Sequence, residues 1–432
     1  MSMGVERDSL LLVLPVSFRI DPEGRLLFEK QACNGLERWA EHFRSLVVAC
    51  PLKPDAEVQR DKTSAEYLEV DRLKSRDRFD FICLPWAYDV GTFLRCYRRT
   101  RLLLSVRIRR CEYLCFAIGG LVGDWASVAA FEAIRQKRRF SVWTDRVEHK
   151  VARTAHVDSV GLKRVYRKLK NNWVVSPLME KLERHIIARC ALGLFHGRDC
   201  FDAYSRDCQS PHLVHNIHLQ PEDRIASGER QEKARRVRAG KPLGLIYVGR
   251  VAGMKGPFDW VLAMTELRSR GIKFHASWIG DGPLLAEMRA EVSRRGLSDM
   301  VELPGFASDR IQLLQTIRDS DLFVFCHKTP ESPRCLIEAL MSGTPIVGYD
   351  SPYPRDLLGG TADQLLVSFD DPSALAEKIS DLDGDREQLS GLIERCYEIG
   401  SHYSDYAVFQ HRSDLIKNYL GLGASGSVAR QE

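Results

Sequence analysis

DLFVFCHKTPESPRCLIEALMSGTPIVGYD, residues 321–350, is the stretch from which the fold can be read. Asp321–Cys326 is short, apolar and partly aromatic, the pattern of a strand buried on both faces of a parallel sheet. His327–Ser332 is polar and contains Pro330, which marks a loop. Ser332 is expected to N-cap a helix with Pro333 at its first position, where the missing N–H costs nothing. That helix runs through Glu338 and stops near Ser342–Gly343; Ile346–Tyr349 is the next strand. A helix start of this kind offers free N–H groups and a positive dipole end to a phosphate. Glu338, more than a turn further in, is placed to meet a sugar hydroxyl beyond it. The plain alternative is a buried βαβ unit with a solvated Glu338.

The same alternation extends in both directions. Strands are expected at Leu243–Gly249, Phe274–Ile279, Val301–Leu303 and Leu365–Val367. Between them come helices from Gly256 to about Arg270, from Pro283 to about Arg295, at about 309–318 and at 371–382. This is a doubly wound parallel sheet. In the first half, strands are expected at Leu10–Phe18, Ser45–Cys50, Phe79–Pro85, Cys111–Gly119, Arg139–Thr144 and Ala191–Phe195, with helical spacing over 29–45 and 173–190. The 432 residues exceed one ordinary core, so two domains are expected. Their bounds are 1–220 and 243–400. Between them lies a linker, 221–242, where periodicity fades into the charged run Glu229–Lys241. A last helix falls within 401–422, and the tail 423–432 is small, polar and expected to be disordered.

Composition narrows the function. A net charge of +5 and the lack of a zinc-finger, helix-turn-helix or RNA-binding signature argue against nucleic acid. The twelve cysteines contain no CxxC and most sit in apolar runs, as reduced core residues of a cytoplasmic protein would. Glu6 and Asp8 precede a short apolar run without a cleavage site, so no secretion signal is expected, and no uninterrupted membrane span is present. Arg95, Arg98, Arg99, Arg101, Arg107, Arg109 and Arg110 form a basic region with Leu102–Leu104 inside it. Lys163, Arg164, Arg167, Lys168 and Lys170 form a second beside Tyr166 and Trp173. Such runs are usually solvated faces. Basic residues interleaved with apolar ones also suit an anionic membrane surface.

Three turns of the second sheet carry unusual residues at the carboxyl ends of their strands: VGRVAGMKG with Gly249, Arg250 and Lys255; IGDGP with Gly280 and Asp281; and ESPRCLIEA with Glu331, Ser332, Pro333, Arg334 and Glu338. In an open α/β sheet these turns share one edge and can converge on one crevice. Arg250 and Lys255 bring fixed positive charge to a diphosphate, and the helix start brings N–H donors. In the first half, Gly35 lies inside a helical segment, Asp124 stands near the end of the glycine-rich turn IGGLVGDW, and Asp145 ends a strand, followed by Arg146, Glu148 and His149. Asp124 is most simply an N-cap, and the Asp145–His149 cluster most simply surface charge.

On these motifs the second half resembles the nucleotide-binding domain of retaining glycosyltransferases of the GT-B fold, the family-4 type. Arg250 and Lys255 five residues apart, the Gly280–Pro283 turn, and Glu338-Ala339 followed by Gly343-Thr344-Pro345-Ile346-Val347 match their pattern over about 243–385. The first half matches only in its βα alternation and at Gly35. Glu331 and Glu338 are separated by six residues where the family has seven, and no first-domain histidine aligns, Thr144–Asp145 standing at that strand end.

The resemblance implies two Rossmann-like domains facing a cleft, with the last helix crossing back to the first. It implies transfer of a sugar from a nucleotide-diphosphate donor with retention of anomeric configuration, and neither metal nor cofactor. Arg250, Lys255 and Glu331 would be catalytic. Gly249, Arg250, Lys255, Gly280, Asp281, Ser332, Pro333, Arg334 and Glu338 would hold the donor; Gly35, Asp124 and Asp145 would lie on the acceptor or sugar side. Charge stabilisation of the diphosphate leaving group is what such chemistry needs. The acceptor is expected to be a lipid-linked or cell-surface saccharide, with the protein peripheral at the inner face of a membrane. Alternatives are a degenerate nucleotide-binding scaffold in a membrane complex and a nucleotide-sugar epimerase.

Overall fold

In the computed structural model, residues 5–60, 66–154, 171–217, 219–329 and 331–421 are described. Pro330, the basic residues of 163–170 with Tyr166, and the tail from 423 lie outside them. The chain divides into two compact units, one of Met1–Ala152, Asn172–His218 and Asp405–Glu432, the other of Arg153–Asn171 and Leu219–Ser404.

The first unit carries a parallel sheet of β1 (Glu6–Val13), β4 (Ser45–Pro51), β6 (Phe79–Leu84), β7 (Cys111–Ala117), β8 (Ser141–Thr144), β9 (Leu192–His196) and β10 (Pro211–Val214). Their order is β10-β9-β8-β7-β1-β4-β6. A small antiparallel sheet of β2 (Arg19–Ile20), β3 (Leu26–Glu29) and β5 (Tyr67–Glu69) lies beside it in sequence. Side chains alternate across a strand. Leu10 and Leu12 therefore enter one buried cluster while Leu11 and Val13 enter another, and the sheet is covered on both faces. The helix Asp405–Leu420 contributes Phe409, Leu415, Ile416 and Leu420 to the first of these clusters. It is pinned by Arg38 Nε on Asp405 Oδ2 at 2.8 Å and by the buried Arg412 guanidinium, 3.8 Å from the Trp143 ring centroid.

The second unit is a six-stranded parallel sheet of β11 (Leu243–Val248), β12 (Phe274–Ile279), β13 (Val301–Gly305), β14 (Leu322–Phe325), β15 (Ile346–Tyr349) and β16 (Leu366–Val367). The order β13-β12-β11-β14-β15-β16 reverses direction between β11 and β14. Ligands bind such sheets outside the carboxyl ends of the strands at that reversal. In the first unit the corresponding reversal falls between β1 and β7.

Three helices differ from the sequence expectation or add to it. The segment expected as a linker contains a helix, Ser227–Arg238, whose start is held by Ala226 N donating to Glu229 Oε2 at 3.2 Å. Its buried stripe is only Lys233, Ala234 and Val237, too short to show as periodicity amid charge. The helix after β14 begins at Arg334, with Pro333 extended at its N-cap position (φ −71, ψ 124) and no side-chain cap. The proline ring disfavours helical geometry at Ser332, which therefore stays outside the helix. Arg386–Ser401 is a further helix with no expected counterpart.

Lys233 is wholly buried, its Nζ donating to Thr344 Oγ1 at 2.7 Å, and burial pulls its pKa down to about 7. The unfolded lysine keeps its proton up to about pH 10.4. Between those values the unfolded state binds more protons, so stability rises with pH, by at most about 1.4 kcal/mol per unit. Urea midpoints at pH 7.5 and 9.5 are expected to rise for the wild type relative to Lys233→Met. Parallel pH dependences would contradict a buried titrating lysine.

Candidate functional site

Three turns meet at the reversal between β11 and β14. The turn after β11 is joined to that after β12 by backbone bonds: Gly249 N to Ile279 O at 2.9 Å, Val251 N to Asp281 O at 3.0 Å and Leu284 N to Val251 O at 3.2 Å. It is joined to the loop after β14 by Lys328 N to Met254 O at 2.9 Å. Two glycines permit the approach. At Gly280 (φ +155) a Cβ would run into the Gly249 carbonyl, and at Gly256 (φ +64) into that of Cys326. Both conformations are ones that L side chains rarely adopt. Gly256 then starts the helix Pro257–Ser269.

Lys255, at the end of a one-turn helix Gly253–Lys255, and Glu331 are brought together. Nζ lies 2.5 Å from Oε1, with side chains 13% and 9% exposed. Arg250 is exposed, and its guanidinium has no ion-pair or hydrogen-bond partner among the described residues. Ser332 is buried; Arg334 opens its helix half-buried, and the first N–H groups of that helix lack intrahelical partners. Glu338 lies on the same helix and takes Arg310 Nη1 at 3.3 Å. Asp281 Oδ1 is turned onto its neighbour, accepting from Gly282 N at 2.7 Å. The donor-side residues expected from sequence thus gather on one edge of the second sheet, Asp281 presenting its backbone carbonyl to the adjoining turn.

Two participants were missed. His327, immediately after β14, is buried, with Nε2 2.7 Å from Tyr247 OH. Burial, reinforced by the Lys255 charge, lowers its pKa well below the usual histidine value, so it is neutral. Its position beyond a strand end was the available signal. Arg310 carried none, since its pairing with Glu338 spans 28 residues of chain.

The first-unit candidates have different fates. Asp124 caps the helix Trp125–Arg135, accepting from Ala126 N, Ser127 N, Ser127 Oγ, Gly119 N and Gly120 N. Burial raises its pKa against those bonds. It holds the turn after β7 in shape. Asp145 is exposed and accepts from Trp143 Nε1 at 2.8 Å. Gly35 is buried within the helix Lys30–His42 rather than at a strand end. The cluster expected as surface charge is partly interior. His149 is buried, its Nδ1 2.7 Å from Glu183 Oε2, which also accepts from Tyr204 OH at 2.7 Å. Glu148 packs against Gly119, and burial raises its pKa. No helix among the described residues is long and apolar enough to cross a membrane. Nor do three or more His, Cys, Asp or Glu among them gather as metal ligands would.

Residues 229–398 match the family model described as glycosyl transferases group 1. The chain is 25% identical over 308 residues to alpha-D-kanosaminyltransferase of Streptomyces kanamyceticus, covering 64% of this chain and 78% of that protein. It is 26% identical over 186 residues to the putative colanic acid biosynthesis glycosyltransferase WcaL of Salmonella typhimurium, covering 41% of this chain and 46% of that protein. The chain therefore spans less than half the length of this second relative. Among solved structures, Anabaena HepE in complex with UDP is similar with a TM-score of 0.64 at 12% identity, covering 94% of this chain and 98% of that one. Both sheets are thus those of a GT-B-type α/β fold. Residues 229–398, which contain the three turns with Arg250 and Lys255 and the helix with Glu338, are thus similar to the glycosyl transferases group 1 family.

Proposed function

We propose that the protein transfers a sugar from a nucleotide-diphosphate donor to a saccharide acceptor, with retention and without a divalent metal. The observation that carries this is the joining, at the sheet reversal, of the turn that bears Arg250 and Lys255 to the loop that leads into an uncapped helix start. These cations and helix N–H groups suit a diphosphate leaving group, for which Lys255 would exchange its Glu331 partner. Glu338, further along the same helix, suits the ribose, and HepE is solved with UDP and with UDP-glucose. The test is a thermal-shift screen against UDP, GDP, ADP and dTDP and their sugar conjugates, with and without EDTA. A ligand at a hundred times its dissociation constant stabilises by about 2.7 kcal/mol. A shift with one nucleotide class, unaffected by EDTA, supports the reading. No shift with any favours a non-catalytic scaffold. Retention is read from the anomeric configuration of the first product.

The acceptor side of the proposal is a lipid-linked or cell-surface saccharide reached at an anionic membrane. The helix Val90–Arg110 in the first unit supports it. Leu94 and Leu102 are 67% and 52% exposed, alongside Leu103. Between them stand Arg98 and Arg99, which have no acidic partner among the described residues. Apolar side chains interleaved with unpaired cations suit an interfacial face, each basic residue contributing about 1 kcal/mol near anionic lipid. Reversing Arg98 and Arg99 to Glu is expected to reduce sedimentation with phosphatidylglycerol-containing vesicles by about tenfold or more. Unchanged sedimentation would remove the membrane from the proposal.

A further inference from the structure

We infer that Glu331 is a built-in counter-ion of the donor-site lysine, and that this pairing makes the site prefer an intact sugar-carrying diphosphate to the spent nucleotide. The inference rests on the reading of this crevice as a donor site.

An ammonium as enclosed as that of Lys255 needs a negative partner, because removing an ion from water costs several kcal/mol. Glu331 is the carboxylate that lies on it. The others nearby in sequence are committed elsewhere: Glu338 to Arg310, and Asp259 to Lys328 at 2.7 Å. His327 is neutral and engaged with Tyr247, so it offers no compensating charge. The short spacing of Glu331 and Glu338, together with a helix that waits until Arg334 to begin, leaves Glu331 three residues ahead of the helix, with Pro333 extended between them. From there it reaches Lys255 instead of standing clear of it.

The lysine that Glu331 neutralises is the one a diphosphate would claim. A diphosphate and a carboxylate cannot share one ammonium at hydrogen-bonding distance without like-charge repulsion. Binding therefore exchanges counter-ions, and Glu331 must turn away from Nζ. With an intact donor, the sugar attached to the terminal phosphate brings hydroxyl donors into the space beside Lys255. The displaced carboxylate then gains charge-assisted hydrogen bonds. With the spent nucleotide it meets no donor and faces one more phosphate charge. Glu331 is thus a specificity-determining residue: it weakens retention of the product relative to the substrate.

Isothermal titration of the full chain with UDP, GDP, ADP, dTDP and their sugar conjugates tests this. The wild type is expected to bind the sugar conjugate of its nucleotide more tightly than the free diphosphate. In Glu331→Gln the free diphosphate should bind about tenfold tighter than to the wild type, one carboxylate's repulsion being worth roughly one decade. The preference for the conjugate should shrink accordingly. Glu331→Asp keeps the charge and should keep the wild-type preference. Binding of the free diphosphate by Glu331→Gln that is unchanged or weaker overturns the inference alone. So does a wild type that binds the free diphosphate at least as tightly as the conjugate, a result that needs no variant to fold. If neither protein binds any nucleotide or conjugate, the donor-site reading falls, and the inference with it.

Discussion

Lys255→Met is expected to weaken nucleoside-diphosphate binding by about 100-fold, about 2.7 kcal/mol, measured by the same titrations. The ammonium is largely enclosed, so its field at a bound phosphate is little screened by solvent. Two effects add. The variant removes the cation, and it strands the Glu331 carboxylate beside the site, where it repels an anion. The double variant Lys255→Met/Glu331→Gln should therefore recover stability while recovering only part of the binding. Lys328→Met is the control. Its ammonium lies on the neighbouring loop but is committed to Asp259 and Asp370 at 2.7 and 2.6 Å, so nucleotide affinity should stay within about twofold, as for a rim charge. Equal losses in Lys255→Met and Lys328→Met would show that net charge, and not this crevice, holds the nucleotide.

Gly280→Ala is expected to cost about 3 kcal/mol or more of unfolding free energy and to abolish the nucleotide-induced thermal shift. The added methyl would collide with the Gly249 carbonyl, a backbone atom fixed by Trp278 Nε1 donating to it at 2.9 Å. Relief would require separating the two turns and breaking their backbone bonds, so strain and overpacking combine. Gly271→Ala isolates the conformational part. Gly271 also has positive φ, +76, but nothing lies within 4 Å of its added Cβ. That variant should lose about 1–2 kcal/mol and keep nucleotide binding. If both substitutions cost the same, as urea midpoints would show, the zipped turns are not what organises the site.

The sheet of the second unit was legible because its strands are buried on both faces. Leu322–Phe325 and Ile346–Tyr349 are wholly interior, and uninterrupted apolar runs record that directly. The three turns were legible for a related reason. Glycine at Gly256 and Gly280, and the cations Arg250 and Lys255 beyond a strand end, are residue types that local backbone and ligand chemistry demand. Elements without such a record were lost. The helix Ser227–Arg238 buries three side chains, one of them a lysine, and its charge obscured it. Ser332 satisfied a local capping rule, but the helix begins after the extended Pro333.

The sequence by itself determined the α/β class, the parallel order of alternating elements and the turn on which each donor-side residue stands, since these follow from periodicity and from single residues. Only the tertiary structure decided which of those residues touch. Lys255 and Glu331 are 76 positions apart, Glu338 and Arg310 are 28, and His149, Glu183 and Tyr204 come from three separate helices. Whether a charge is solvated, paired or buried depends on what the fold lays against it. A histidine in a polar stretch looks the same in sequence whether it faces water, like the surface charge expected at His149, or a glutamate 2.7 Å away in the interior.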